Sequence, residues 1–193
     1  MSEQFISTPN AKLDERSFEK VVAGTAFEAA RPIQSKLSAI VFRKDGRVED
    51  LGVIATRYVS TAFCTEIAKA MTGNSASVTR IQAYKYHCWG STGTGTAEDK
   101  SQDACITPVS PTNTAAAFVE GTQTNPSATT FRSVATITAD GSTGGSIAEH
   151  CIHCDTTTGA YGLDRSAFAA ITVSSGDSIQ FTYTLTIASD DPT

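Results

Sequence analysis

Apolar and polar side chains alternate most regularly over residues 178–187 (SIQFTYTLTI). Ile179, Phe181, Tyr183, Leu185 and Ile187 take one set of alternate positions, and Gln180, Thr182, Thr184 and Thr186 take the other. A period of two places the first set on one face of a strand and the second on the opposite face. Residues 130–138 (TFRSVATIT) alternate in the same way and 146–154 more loosely. Residues 167–173 form a further strand, joined to 178–187 by the short loop Ser174-Ser175-Gly176-Asp177. Residues 78–88 (VTRIQAYKYHC) are rich in β-branched and aromatic side chains and are predicted as another strand. Earlier, Leu37, Ile40, Val41 and Phe42 lead into Lys44-Asp45-Gly46-Arg47 and out through Val48, Leu51, Val53 and Ile54. Asp-Gly between two apolar runs predicts a hairpin.

A helical period is clear in one place. Phe63, Ile67, Ala70 and Met71 fall at i, i+4, i+7 and i+8, with Ser60 or Thr61 as cap and Gly73-Asn74 as stop. Cys64 on this helix reads as a small core side chain. Residues 1–36 carry few periodic apolar positions. Asp14 can cap a short helix through Phe18, Val21 and Val22 up to Gly24, and Arg31-Pro32 forces an extended path beyond it. The pattern therefore predicts a mainly β fold, an antiparallel β-sandwich or jelly roll with one short helix and an extended N-terminal arm. The arm covers residues 1–36 and the sandwich 37–193. Two long polar stretches, 90–102 and 108–125, read as contact loops.

Composition narrows the function. With 15 Lys and Arg against 20 Asp and Glu, the formal net charge is −5. Phosphate affinity comes from Lys and Arg, so nucleic acid is not expected as a partner. No apolar run approaches the roughly 20 residues that span a bilayer, so no membrane partner is expected either. The start MSEQFISTPNAK has no apolar signal region, which points to a chain made in a cytoplasm. Its five cysteines, an odd number in a chain with no export signal, read as reduced thiols.

Candidate chemistry is sparse. The Gly-rich run 90–96 lacks the Gly-Lys-Ser/Thr of a phosphate loop and is followed by Glu98-Asp99, which repel phosphate. Glu149-His150-Cys151-Ile152-His153-Cys154 is the segment richest in potential metal donors, and His87, Cys88 and Cys105 could complete a tetrahedral set. On a strand, however, Cys151 and His153 face one side while His150, Ile152 and Cys154 face the other. No cofactor or metal is therefore expected, with His150, Cys151 and Cys154 as the candidates for a metal-dependent alternative. Glu149 and His150 point to opposite faces and cannot work as an acid–base pair, and no nucleophile elbow or His-Glu-x-x-His helix is present. The expectation is that the chain is not an enzyme. Tyr84, Tyr86 and Trp89 form an aromatic cluster, in which Tyr84 and Tyr86 share a strand face and could stack on a sugar.

Several segments carry a likeness in a fixed order. They are Tyr84-Lys85-Tyr86-His87, the run from Gly90 to Glu98, Gly121-Thr122-Gln123-Thr124, Ala148-Glu149-His150, Leu163-Asp164-Arg165-Ser166-Ala167-Phe168, and the run from Ser175 to Thr186. Together they resemble a family of small virion structural proteins of tailed bacteriophages, over about Leu51 to Ile187. The chain departs from that pattern after Glu149-His150, where Cys151 and His153-Cys154 stand in place of a glycine and an aromatic. The resemblance implies a particle component: a head decoration or cement protein on the capsid exterior that stabilises contacts between major capsid proteins. Its implied partners are the major capsid protein and further copies of itself. Phe5, Phe18, Arg31, Arg43, Lys44, Arg47, Tyr84, Tyr86 and Trp89 are the candidate partner-binding residues. The alternative is a tail or head-fibre module that binds a host surface glycan through Tyr84, Tyr86 and Trp89.

Overall fold

The computed structural model describes residues 33–91, 101, 104–109, 118–139, 145–156 and 162–187. Phe5, Phe18 and Arg31, and the arm as a whole up to residue 32, lie outside them. The described chain is an antiparallel β-sandwich. Its elements are β1 (Gln34–Phe42), β2 (Val48–Tyr58), α1 (Thr61–Met71), α2 (Ser75–Gln82), β3 (Tyr86–Gly90), β4 (Val119–Glu120), β5 (Thr122–Ser127), β6 (Thr130–Thr138), β7 (Gly145–His153), β8 (Gly162–Val173) and β9 (Ser178–Thr186). The larger sheet has the order β2-β1-β9-β6-β5 and the smaller the order β4-β3-β7-β8.

Alternation holds where it was strongest. Along β9, Ile179, Phe181, Tyr183 and Leu185 are buried, and along β6 so are Ser133, Ala135 and Ile137. Phe181 sits between the sheets, edge-on to Trp89 with ring centroids 6.5 Å apart and near His150 at 4.6 Å and Phe168 at 6.1 Å. Four such rings meeting across the two layers bury a large share of the apolar area that holds them together.

The β1–β2 hairpin turns where Asp45-Gly46 predicts it, with Gly46 at φ +89°. A side chain at that φ would clash with its own carbonyl, which is why glycine occupies the turn. Arg43 then spends its guanidinium inside the fold. It donates to both Glu49 carboxylate oxygens at 2.9 and 2.7 Å, to Asp177 at 3.1 Å and to the Thr172 carbonyl at 2.7 Å. It thus ties this turn to the β8–β9 loop and is not free to pair with a partner. β1 starts at Gln34, so the last residues read as arm belong to the sheet.

Two helices are described where the pattern predicts one. Ser60 caps α1, its hydroxyl accepting from Phe63 N at 3.1 Å. That helix turns its stripe only partly inward. Phe63 is buried against Tyr84, whereas Met71 is 84% exposed and Cys64 is exposed instead of in the core. The second helix replaces the first half of the strand predicted over 78–88. Gly73 takes φ +84° as the stop, but Asn74 has an extended conformation and caps α2 through Ser77 N at 3.0 Å. A good cap and the Glu66–Arg80 ion pair at 3.0 Å outweigh the weak strand preference of Val78, Thr79 and Ile81. No helix among the described residues is long and apolar enough to cross a membrane.

Candidate functional site

The smaller sheet has two faces with different chemistry. β3 and β7 run antiparallel with Tyr86 opposite His153, Cys88 opposite Cys151 and Gly90 opposite Glu149. Cross-strand partners share a face, so these six positions lie on the side away from the sandwich interior. His87, Trp89, His150 and Ile152 point the other way.

On the inner side His87 and His150 are joined, Nδ1 to Nε2, at 2.9 Å, and the other nitrogen of His87 meets the Ser133 hydroxyl at 2.8 Å. Burial is the main force lowering both histidines, His87 well below its ordinary value and His150 to about 4. Both are neutral at pH 7, and the pair is a buried strut. Gly121 passes so close that an added Cβ would stand 2.7 Å from His87 Nε2 and 2.9 Å from Ser133 Oγ. The Gly121→Ala variant should therefore lose about 1–3 kcal/mol in urea unfolding, a cost typical of overpacking a tight site. An unchanged midpoint would contradict this packing.

On the outer side the segment 104–109 is laid across the sheet by Glu149. Its carboxylate accepts from Thr107 N at 2.8 Å, Ile106 N at 3.1 Å and Arg165 Nε at 2.8 Å. Ser91 N also donates to the Thr107 carbonyl at 3.1 Å, and Val109 N to that of Trp89 at 3.0 Å. Gly90 permits the crossing, since a Cβ there would sit 2.6 Å from the Thr107 carbonyl oxygen. This anchoring brings Cys105 down onto the sheet.

The sulfurs of Cys88, Cys105 and Cys151 all lie within 4.8 Å of one another, with Cys88 and Cys105 3.0 Å apart. All three are buried beside Phe118, and the described cysteines are free thiols. His153 stands next to them, 1% exposed and edge-on to the Phe118 ring at 5.1 Å. Neither of its ring nitrogens has a hydrogen-bond partner among the described residues. Contacts from Cys105, Cys151 and His153 push the Cys88 thiol far below its usual range, while burial raises Cys105 and Cys151 well above it.

The structure groups the predicted residues differently from the sequence. Cys154 belongs to the main core and His150 packs on Phe181 between the sheets, so neither converges with Cys151. The aromatic platform is not formed either. Tyr84 and Trp89 are fully buried in the core, and only Tyr86, half-buried on the outer side, borders the cysteine cluster. Of the basic residues, Lys44 and Arg47 remain at the surface, with Arg47 paired to Asp45 at 2.8 Å. Next to them the edge strand β2 exposes Val48 (62%), Val53 (56%) and Leu51 (40%). No family model, no curated protein and no solved structure matches the chain.

Proposed function

We propose that the chain is a non-enzymatic component of a tailed-bacteriophage particle. In this reading it is a head decoration protein that docks on the capsid exterior and bridges neighbouring major capsid proteins. The observation that carries the reading is the apolar edge of the larger sheet. β2 lies at the end of the order β2-β1-β9-β6-β5 and turns Val48, Leu51 and Val53 outward beside Lys44 and Arg47. An exposed edge strand with apolar side chains is a surface that invites a protein partner.

Two further features favour contact over catalysis. The groups best suited to chemistry, His87, Cys88, Glu149, His150, Cys151 and His153, are each at most 2% exposed, out of reach of a dissolved substrate. The net charge of −5 also suits a protein that must sit near packaged genome without binding it. Repeated copies on a lattice need only weak individual contacts, because each further contact becomes intramolecular.

Co-sedimentation with undecorated heads tests this. The full chain should pellet with them. Val48→Lys with Val53→Lys should abolish pelleting while shifting stability by no more than about 0.5 kcal/mol, as expected for exposed positions. Deletion of residues 1–30, which spares every described element, should abolish pelleting as well. Failure of the full chain to bind heads, or full occupancy by the double-lysine variant, would overturn the proposal.

A further inference from the structure

We propose that Cys88, Cys105, Cys151 and His153 form a zinc site that rivets the 104–109 segment to the outer face of the smaller sheet. Cys88 and Cys151 are direct cross-strand partners, and His153 is two residues beyond Cys151 on the same face. Two sulfur donors from two strands are therefore fixed by backbone register. His153, in contact with Cys88 on the same face, stands at the rim of the sulfur cluster and would turn its ring onto the ion. Cys105 supplies the fourth from above, placed by the Glu149 hydrogen bonds to Ile106 and Thr107. The donors come from three separate stretches of chain, so the ion would cross-link what hydrogen bonds alone now hold together.

Distances fit a small tetrahedral ion. With zinc–sulfur bonds of about 2.3 Å, sulfurs at tetrahedral angles stand about 3.8 Å apart. The three sulfurs here lie within 4.8 Å of one another. The Cys88–Cys105 pair at 3.0 Å would open by about 1 Å or somewhat less, a side-chain rotation, to take an ion between them. Three thiolates and an imidazole are a donor set that selects zinc over the hard cations, which prefer oxygen. With His153 turned onto the ion the set would hold four protein donors and leave no position for a substrate, which is the mark of a structural site.

The alternative explanation of the short sulfur contact is a Cys88–Cys105 disulfide. It leaves two observations unexplained. Cys151 would remain as a third buried thiol against the bridge, and His153 would remain buried with neither nitrogen hydrogen-bonded. Burying an imidazole without a partner is costly, and a metal ion satisfies it. Zinc would displace the thiol protons of Cys88, Cys105 and Cys151 to solvent, leaving three thiolates, one neutral imidazole and one divalent ion in a site of net charge −1.

The full-length chain, purified under reducing conditions without chelator, should contain one zinc per chain by elemental analysis. Cys151→Ser and His153→Ala should each lower the zinc retained after dialysis by about tenfold or more. His153→Cys should keep it, and so should Cys64→Ser and Cys154→Ser, which lie outside the cluster. Should the serine variants fail to fold, cobalt exchanged into the wild-type protein gives an independent reading. Tetrahedral thiolate coordination then produces intense visible bands and a thiolate-to-cobalt charge-transfer band. Wild-type protein with Cys88, Cys105 and Cys151 all free thiols, no zinc and no cobalt bands would overturn the proposal. So would a Cys88–Cys105 disulfide found by mass spectrometry in freshly lysed cells.

Discussion

Replacing Glu149 with alanine is expected to destabilise the fold by about 3–5 kcal/mol, the range seen when one partner of a buried ion pair is removed. Glu149 is 0% exposed, and its carboxylate accepts three hydrogen bonds, from Arg165 Nε and from the amides of Ile106 and Thr107. The alanine variant takes the anion away from a buried guanidinium and from two backbone donors at once. Glu149→Gln keeps the shape and one acceptor oxygen but not the charge, and should lose about 1–3 kcal/mol. At this chain length the alanine effect corresponds to a fall in Tm on the order of 10 °C or more. Limited proteolysis adds a local reading, since cleavage near residues 101–109 should accelerate in both variants. A Tm within about 2 °C of wild type for Glu149→Ala would show that the segment is held by something else.

That dependence on Glu149 also explains which parts of the molecule were legible beforehand. β9, β6 and the β1–β2 hairpin could be read because their signals are local: alternation for the strands, Asp45-Gly46 for the turn. Helix α2 was missed because its decisive signal was ambiguous. Asn74 suits both a left-handed stop and an N-cap, and Val78, Thr79 and Ile81 lean toward strand. For the cysteine cluster, parity alone correctly separates Cys151 and His153 from His150 and Cys154. What parity cannot supply is the partner strand's register. Cys88 faces Cys151 because Gly90 faces Glu149, and Cys105 joins them only because Glu149 holds Thr107 from 42 residues away in sequence. Tyr84 and Tyr86 separate for a similar reason. β3 begins only at Tyr86, so the strand parity that put both on one face does not reach back to Tyr84.

Acidification is expected to unfold the domain, and Asp164→Asn should make the loss steeper. His150 is held neutral in the fold, its value lowered by burial from 6.5 to about 4. Below pH 6.5 the unfolded chain takes up a proton that the folded chain refuses, so stability falls as pH drops toward 4, by about 3 kcal/mol for that group. His87 is lowered well below 6.5 by burial and acts with the same sign over a wider range. Asp177, held low chiefly by the amides of Ser174 and Lys44, adds a further loss below its ordinary value of 3.8. Asp164 opposes them. Burial raises it from 3.8 to about 6, despite the Ser35 hydroxyl that donates to it. Its contribution is fully present below 3.8 and is lost as pH rises through about 6, so acid stabilises the fold through this one carboxyl by about 3 kcal/mol. In wild type the Asp164 and His150 effects nearly cancel between pH 6.5 and 4, leaving His87 to set the net fall. The Asp164→Asn variant has no proton to gain there. Relative to wild type its stability should therefore drop by about 3 kcal/mol between pH 7 and pH 4 in urea unfolding followed by tryptophan fluorescence. Trp89, the single tryptophan and fully buried, reports the sandwich interior directly. Stability-against-pH curves that stay parallel for the two proteins would mean that Asp164 is ionised in the fold throughout this range, and that the buried histidines alone govern its response to acid.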